Sequence, residues 1–521
     1  MNRQKRHYRI LLIILWISFA LRIYHLTGQS LWWDEMWTVA LLQMPPSEMF
    51  SALLADRVHM PLYFVALRGW VSWLGLNTFG LRYFSVLAGF LAVPLVYRLG
   101  QRLIGRNVAL LTAGLLAVSP FHIWFSQETR MYSLLALAPL LVNLLFWQAL
   151  RSANWRAWAG YSLAMAVCVY IHYFSLFVLL AHYIFLSVYY RRFPDAFRRW
   201  LLAVIVPGVL FAGWVALTLR IGGYREASIS WIAPAHWYEP LFTLLAFTAG
   251  PTIDPAQGWP YVALVAGMLG VGMVVWRYGG NGRNLTVLSD NTLVTHFLLV
   301  WLIAPLMLTW LISLDLPLPQ KRSIYMDRYL IVSLPALLLL VAWGWELLAH
   351  KWPLLVWAGM ASMLLPASLA LANMYTHEAY MREDWRTAMG WLSETAEPED
   401  MILLDAGQVL PLKVYGNGRL QTQTEILPIL LEADKRDAFM QNEMPHLMHQ
   451  LTRTTNQFWL VRSQDNTNPH GFPQARNQTI ANIAQKDVYK QWLDTRYTII
   501  TEKTFTGIHL TQYQAEAEHE P

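Results

Sequence analysis

Predominantly apolar runs cover about 10–27, 81–100, 107–125, 132–150, 157–172, 174–190, 200–219, 259–276, 293–313, 329–349 and 353–373. Each approaches the ~20 residues that a helix needs to cross a bilayer, so each predicts a membrane-spanning helix. Two shorter, interrupted runs, about 60–75 and 240–250, predict helices that lie at the membrane interface. After about Tyr375 the pattern changes: charged and amide residues rise and long apolar runs stop. There Met401–Asp405, Phe458–Ser463 and Tyr497–Tyr513 carry the β-branched and aromatic enrichment of strands, while Glu383–Thr395 and Ala481–Leu493 read as helices. The expected fold class is a polytopic α-helical membrane protein of about eleven transmembrane helices. It covers residues 1–375, with interfacial helices in its first outer loop, and a small extracytoplasmic α/β domain follows over residues 376–521.

Composition agrees with that class. The 521 residues are 56% hydrophobic and 14% charged, against roughly 25% charged in a soluble domain. The net charge of +6 does not point to nucleic acid, because the basic residues are scattered among short loops. Cys168 is the single cysteine, which excludes an intrachain disulfide and makes a thiolate metal cluster implausible. Arg3, Lys5, Arg6 and Arg9 precede an apolar stretch longer than a signal-peptide core and without a small-residue cleavage site. The expectation is an uncleaved first span with a cytoplasmic N-terminus.

Basic clusters then set the orientation. They are Arg98, Arg102 and Arg106; Arg151 and Arg156; Arg191, Arg192, Arg198 and Arg199; Arg277 and Arg283; and Lys351. If 60–75 crossed the membrane, parity would flip and these clusters would fall outside. Treated as interfacial, that run leaves every cluster cytoplasmic and the C-terminal domain extracytoplasmic. The localisation expected is a cell membrane, of the bacterial inner or plasma type.

Topology gathers the polar chemistry. The first outer loop carries Asp34 and Glu35 among Trp32, Trp33 and Trp37, and then Asp56, Arg57 and His59. The second carries Ser126 to Tyr132, with Gln127, Glu128 and Arg130. The third holds Tyr170, His172 and Tyr173, and the fourth Tyr224, Arg225 and Glu226. The fifth holds Lys321, Arg322, Tyr325, Asp327, Arg328 and Tyr329. A carboxylate beside apolar walls suits a general base, and guanidinium forks match phosphate oxygens. Taken singly, each residue has an ordinary reading. Asp34 and Glu35 could cap a helix, His59 could sit in a turn, and Glu128 with Arg130 could be a loop ion pair. His172 could lie between two helices, and Arg328 with Tyr329 could anchor a helix start. Their recurrence on one expected face favours a site.

Leu31-Trp32-Trp33-Asp34-Glu35, His59-Met60-Pro61-Leu62-Tyr63 and Gln127-Glu128-Thr129-Arg130-Met131-Tyr132 resemble the GT-C membrane glycosyltransferases. The resemblance is to the protein O-mannosyltransferase and aminoarabinose-transferase branch, including the RgtA-like domain. It is good from about residue 10 to 200 and looser up to Arg328-Tyr329-Leu330. Over the C-terminal domain it is limited to Glu383-Asp384-Trp385-Arg386. It implies an inverting transfer of one sugar from a polyprenyl-phosphate donor to a hydroxyl of a protein, lipid or cell-envelope glycan. Asp34 would be the catalytic carboxylate, with Glu35 orienting it or binding the acceptor. His59, Gln127, Glu128, Arg130, Tyr132, His172, Arg328 and Tyr329 would bind substrate or the donor phosphate. Met60 stands where many relatives have proline. A second acidic-x-acidic pair is missing from the second loop, which puts a bound metal ion in doubt: no cofactor is certain, and a divalent cation is possible but not indicated. The rival reading is a transporter or flippase of lipid-linked sugars, which would more often show repeated halves and charges near the membrane midplane.

Overall fold

Each long apolar run is helical in the computed structural model, as are both interfacial candidates. It describes residues 3–152, 154–222, 232, 234–278, 290–314, 323–349, 351–405, 409–427, 437–463 and 488–514. The helices are α1 (Arg3–Ile23), α2 (Trp33–Gln43), α3 (Pro46–Asp56), α4 (Leu62–Leu74), α5 (Thr78–Leu103) and α6 (Arg106–Val118). There follow α7 (Pro120–Ser126), α8 (Tyr132–Arg151), α9 (Trp155–Ile171), α10 (Ser175–Val188), α11 (Pro194–Ala203) and α12 (Ile205–Gly222). Then come α13 (Glu239–Ala249), α14 (Pro255–Tyr278), α15 (Asp290–Ser313), a 3-10 turn at Asp327–Ser333, α16 (Leu334–Ala349) and α17 (Pro353–Thr376). The chain divides into two units, Met1–Leu26 with Met44–Leu371 and Thr27–Gln43 with Ala372–Pro521.

Among the described residues, six segments are long and apolar enough to span a bilayer: Thr78–Leu103, Tyr132–Arg151, Pro194–Ile221, Asn291–Ser313, Asp327–Ala349 and Pro353–Thr376. The pair α6 and α7, bent by 58°, makes a seventh. Of the other expected spans, 157–172 and 174–190 fall on helices shorter than this class allows, 10–27 falls on a helix with a charged first part, and within 259–276 the stretch with described side chains is Gly258–Met273. The multi-pass helical class therefore stands, while the count of eleven rests on run length alone.

The α6–α7 bend has a local cause. Pro120 has no N–H to continue the ladder, and Ser119, extended, caps α7 by accepting from the His122 amide at 3.3 Å. The carbonyls freed at the end of α6 need donors at a depth where water is scarce. Buried Arg22 on α1 supplies them, donating to Leu116 O at 3.1 Å and Ala117 O at 3.0 Å. It also donates to Ser18 Oγ at 2.8 Å. A cation at a helix C-terminus is favoured as well by the helix dipole. Elsewhere in the bundle, Asn143, His182, Tyr161 and Trp200 form a hydrogen-bonded chain with links of 3.0, 2.9 and 3.0 Å, and Phe146 stacks on the imidazole. Buried polar groups joined in this way hold their helices in one register.

The second unit carries a five-stranded sheet in the order β2-β1-β3-β5-β4. Its strands are β1 (Met401–Asp405), β2 (Thr424–Leu427), β3 (Gln457–Ser463), β4 (Thr498–Phe505) and β5 (Ile508–Gln514). β1 pairs in parallel with β2 and β3, and β5 antiparallel with β3 and β4. The single strand expected over Tyr497–Tyr513 is a hairpin instead. Thr506-Gly507 makes the two-residue turn, and Gly507, at φ 72°, takes the positive angle that the second central position of a type II turn requires. The expected helix at Glu383–Thr395 is α18 (Trp385–Thr395), with α19 (Val409–Tyr415) after it. Of the expected helix Ala481–Leu493, residues 481–487 lie outside the described residues and the rest is helical.

Candidate active site

Asp34 and Glu35 occupy the first turn of α2 and have different surroundings. Glu35 is fully buried and forms an ion pair with buried Arg382. It also accepts from the Trp32 amide at 3.3 Å, the return bond of a capping box, which closes the start of α2. Asp34 is half-buried, and its carbonyl accepts from Thr38 Oγ1 at 3.0 Å. The segment before α2 is clamped by residues far along the chain. Leu31 donates its N–H to Tyr415 Oη at 2.8 Å, and Ser30 donates to Asp384 Oδ1 at 2.9 Å. Arg386 donates to Thr27 O at 3.2 Å and to Gln29 O at 3.3 Å. The Arg382-Glu383-Asp384-Trp385-Arg386 stretch is therefore a scaffold for the turn that carries Asp34. Glu383 accepts from Ser463, and Asp384 caps α18.

The first unit holds the remaining candidates. Asp56, His59 and Arg130 form a line. His59 Nδ1 donates to Asp56 Oδ2 at 2.6 Å, and Arg130 Nη2 meets His59 Nε2 at 2.5 Å. A guanidinium only donates, so the Nε2 lone pair is the acceptor and His59 stands neutral between a carboxylate and a cation. Burial opposes ionisation of Asp56. The hydrogen bond from the His59 imidazole, with those from the amides of Val58 and His59, outweighs it and holds the carboxyl below its usual value. These amides donate to Asp56 Oδ2 at 3.2 Å each. Arg57, at the end of α3, is left-handed with φ 61°, a costly state for a residue with a Cβ. Its carbonyl accepts from the Tyr173 hydroxyl at 3.2 Å, and that hydroxyl accepts from the Trp214 indole at 3.3 Å.

Arg328, at the 3-10 turn before α16, lies 5.6 Å from the ring centre of Tyr132 and 5.4 Å from that of Tyr329. The Tyr329 ring in turn packs against Phe174 at 5.1 Å and His172 at 4.9 Å. His172 accepts at Nδ1 from the Phe174 amide at 3.1 Å, which leaves its proton on Nε2. His172 is also within electrostatic reach of His59, Arg130 and Arg328. Two buried guanidiniums and an aromatic wall therefore share one neighbourhood, drawn from α8, the second-loop motif, the end of α9 and the 3-10 turn.

The geometry gives two of the expected substrate contacts other partners. The Gln127 side-chain amide donates to Arg22 O at 3.0 Å and Tyr24 O at 2.8 Å, closing the C-terminal end of α1. Glu128 is fully buried and accepts from the Trp124 indole at 2.9 Å. Tyr224, Arg225, Glu226, Lys321 and Arg322 lie outside the described residues. Among the described residues, no three His, Cys, Asp or Glu side chains gather in a group fit for a metal ion. Sequence reasoning missed Arg382, whose tie to Glu35 spans 347 residues. It also passed over the strain at Arg57, which no local pattern announces.

Comparison with known proteins agrees with this architecture. Residues 58–216 match the family model described as dolichyl-phosphate-mannose-protein mannosyltransferase. No curated protein matches the chain by sequence. Among solved structures, ArnT from Cupriavidus metallidurans bound to undecaprenyl phosphate is similar with a TM-score of 0.56 at 13% identity, over 97% of each chain. The apo state of the same protein gives 0.58 at 14% identity over 98% of each chain. The Archaeoglobus fulgidus oligosaccharyltransferase AglB, in complex with an inhibitory peptide and a dolichol-phosphate, gives 0.53 at 10% identity, over all of this chain (100%) and 75% of that one. The chain thus has the fold of the GT-C membrane glycosyltransferases, and between residues 58 and 216 it carries the pattern of their protein-mannosyltransferase family.

Proposed function

We propose that the protein is an inverting glycosyltransferase. On this reading it moves a single sugar from a polyprenyl-phosphate donor to an acceptor hydroxyl on the outer face of the membrane. The observation that supports this best is buried Arg328 against the rings of Tyr132 and Tyr329, together with buried Arg130 held at His59, inside a chain of this fold. The acceptor oxygen attacks the anomeric carbon, the bond from that carbon to the donor phosphate breaks, and the acceptor proton passes to Asp34. The leaving group is a phosphate, so it needs cations more than an acid. Arg130 and Arg328 are suited to that task because guanidinium forks match phosphate oxygens. His59, expected from the sequence as a phosphate-binding group, acts here by aiming Arg130, since its own Nε2 faces that guanidinium. Glu35 positions Asp34 through the first turn of α2, Gln127 and Glu128 support the second-loop motif, and Tyr132, Tyr329 and His172 shape the wall.

The test is sugar transfer by purified protein in nanodiscs supplied with a panel of radiolabelled polyprenyl-phosphate monosaccharides and candidate acceptors. Loss of a positioned base costs typically 10²–10⁴-fold. Asp34→Asn is expected to cut turnover on roughly that scale without altering membrane insertion. Undiminished turnover in Asp34→Asn would remove it from the mechanism. Movement of the donor across the bilayer with no glycosidic bond formed would overturn the enzyme reading in favour of a flippase.

A further inference from the structure

A cavity of about 760 Å³ lies among α1, α6, α16 and α17, away from the residues assigned above. Its lining is sorted by depth. At one end stand Arg6, His7 and Asn107, and every other lining residue is apolar or glycine. Along α6 the wall runs from Asn107 to Val118, eleven steps of 1.5 Å or about 16 Å. That is close to half of the ~30 Å hydrocarbon core. The cavity is therefore one leaflet deep, polar at the membrane surface and apolar to its floor.

Water has no partners in the apolar part of such a space, and an empty slot would forfeit dispersion contacts on every wall. A hydrocarbon chain meets both conditions. The mouth adds charge. Arg6 is exposed there, Lys5 and Arg9 flank it on α1, and Arg106 begins α6. His7 Nε2 contacts Asn107 Oδ1 at 3.3 Å, and the opposing acid is Glu346, which accepts from Asn107 Nδ2 at 3.2 Å. Basic side chains at a membrane surface attract anionic lipid.

We propose that this cavity binds one anionic glycerophospholipid from the leaflet on the Arg6 side. Its acyl chain runs past Ile14, Gly114 and Leu115, and its phosphate lies at Arg6 and His7. The lipid acts as a fitted part of the wall between α1 and α6.

Purified protein would be exchanged into zwitterionic nanodiscs and titrated with phosphatidylglycerol, phosphatidylcholine or undecaprenyl phosphate. Retained lipid would be counted by native mass spectrometry. Wild type is expected to hold one phosphatidylglycerol roughly tenfold more tightly than phosphatidylcholine. Arg6→Glu should bring that ratio to about one, whereas Arg98→Glu, at an exposed position on α5, should keep it. Gly114→Leu tests the slot itself, because a Cβ there meets Ile14 Cδ1 at 3.8 Å and the longer side chain extends into the cavity. That variant should lose the bound lipid whatever its headgroup. Equal retention of both phospholipids by wild type, or an unchanged preference in Arg6→Glu, would overturn the proposal. Displacement of the retained phosphatidylglycerol by undecaprenyl phosphate in wild type would also overturn it.

Discussion

On the proposed mechanism Arg130 meets the donor phosphate only as well as its neighbours hold it, and His59 is a neighbour that touches it. Asp56 fixes the imidazole by taking its Nδ1 proton in a hydrogen bond, and thereby leaves Nε2 free of a proton to receive the guanidinium. Asp56→Asn replaces an anionic acceptor with an amide. Hydrogen bonds to charged groups contribute about 1.5–3 kcal/mol, so the expected outcome is a fall of roughly ten- to a hundredfold in kcat/KM for the donor. Donor titration in the transfer assay measures it, and an unchanged kcat/KM would show that Arg130 needs no such support. Arg382 makes the second case. Glu35 has a side-chain exposure of 0% and Arg382 one of 7%, so removing the cation leaves a buried carboxylate uncompensated. Arg382→Met should cost about 3–5 kcal/mol, read as a lowered Tm of the full-length protein, with part of the loss recovered in the double variant with Glu35→Gln. Equal Tm values for wild type and Arg382→Met would show that the pair is not stabilising.

At the scale of elements, apolar periodicity explains why helices form and polar capping explains where they stop. α1 ends where Gln127 meets its last carbonyls, α6 ends at the Ser119-Pro120 break that Arg22 fills, and α2 begins where Glu35 closes on Trp32. The sheet of the second unit has its own pH-sensitive tie. Asp494 accepts from Tyr513 Oη and from Lys490 Nζ, each at 2.7 Å. Burial works against its charge, but these hydrogen bonds, with the charges of Lys490 and Arg462, hold the carboxyl below its usual value of 3.8. A carboxylate lowered in the folded state contributes stability that is fully present above 3.8 and is lost as pH falls through the lower folded value. Lys490 also faces Glu502 at 3.1 Å, so two carboxylates share the lysine. Asp494→Asn should therefore flatten the acid side of the stability curve below about pH 4 and leave its shape near neutrality unchanged. Urea unfolding followed across pH checks this, and an unaltered acid slope would assign the loss to other groups.

For the whole molecule, the orientation expected from the basic clusters, with cytoplasmic loops and an extracytoplasmic C-terminal domain, is a prediction that labelling tests. Cys168 is buried and the only cysteine, so it gives a silent background for labelling. In intact cells Glu394→Cys should react with a membrane-impermeant maleimide, and Arg151→Cys should react only after permeabilisation. The reverse pattern would invert the topology. Much of this protein was legible from the chain alone. The apolar runs located the helices because crossing a bilayer demands length and apolarity in one contiguous stretch, and the Trp-Trp-Asp-Glu and Gln-Glu-Thr-Arg motifs pointed to the residues of interest because charges beside such runs are costly. Local pattern could not say that Tyr497–Tyr513 folds back at Gly507, nor that β2 joins the sheet beside β1, since strand pairing depends on partners distant in sequence. It could not say that Thr27–Gln43 folds with the C-terminal unit, that Glu35 belongs to Arg382, or that His59 serves Arg130. Each of those assignments joins groups separated by long stretches of chain. Which buried charge meets which partner is decided when the tertiary fold excludes water and leaves each polar group only the neighbours that packing provides.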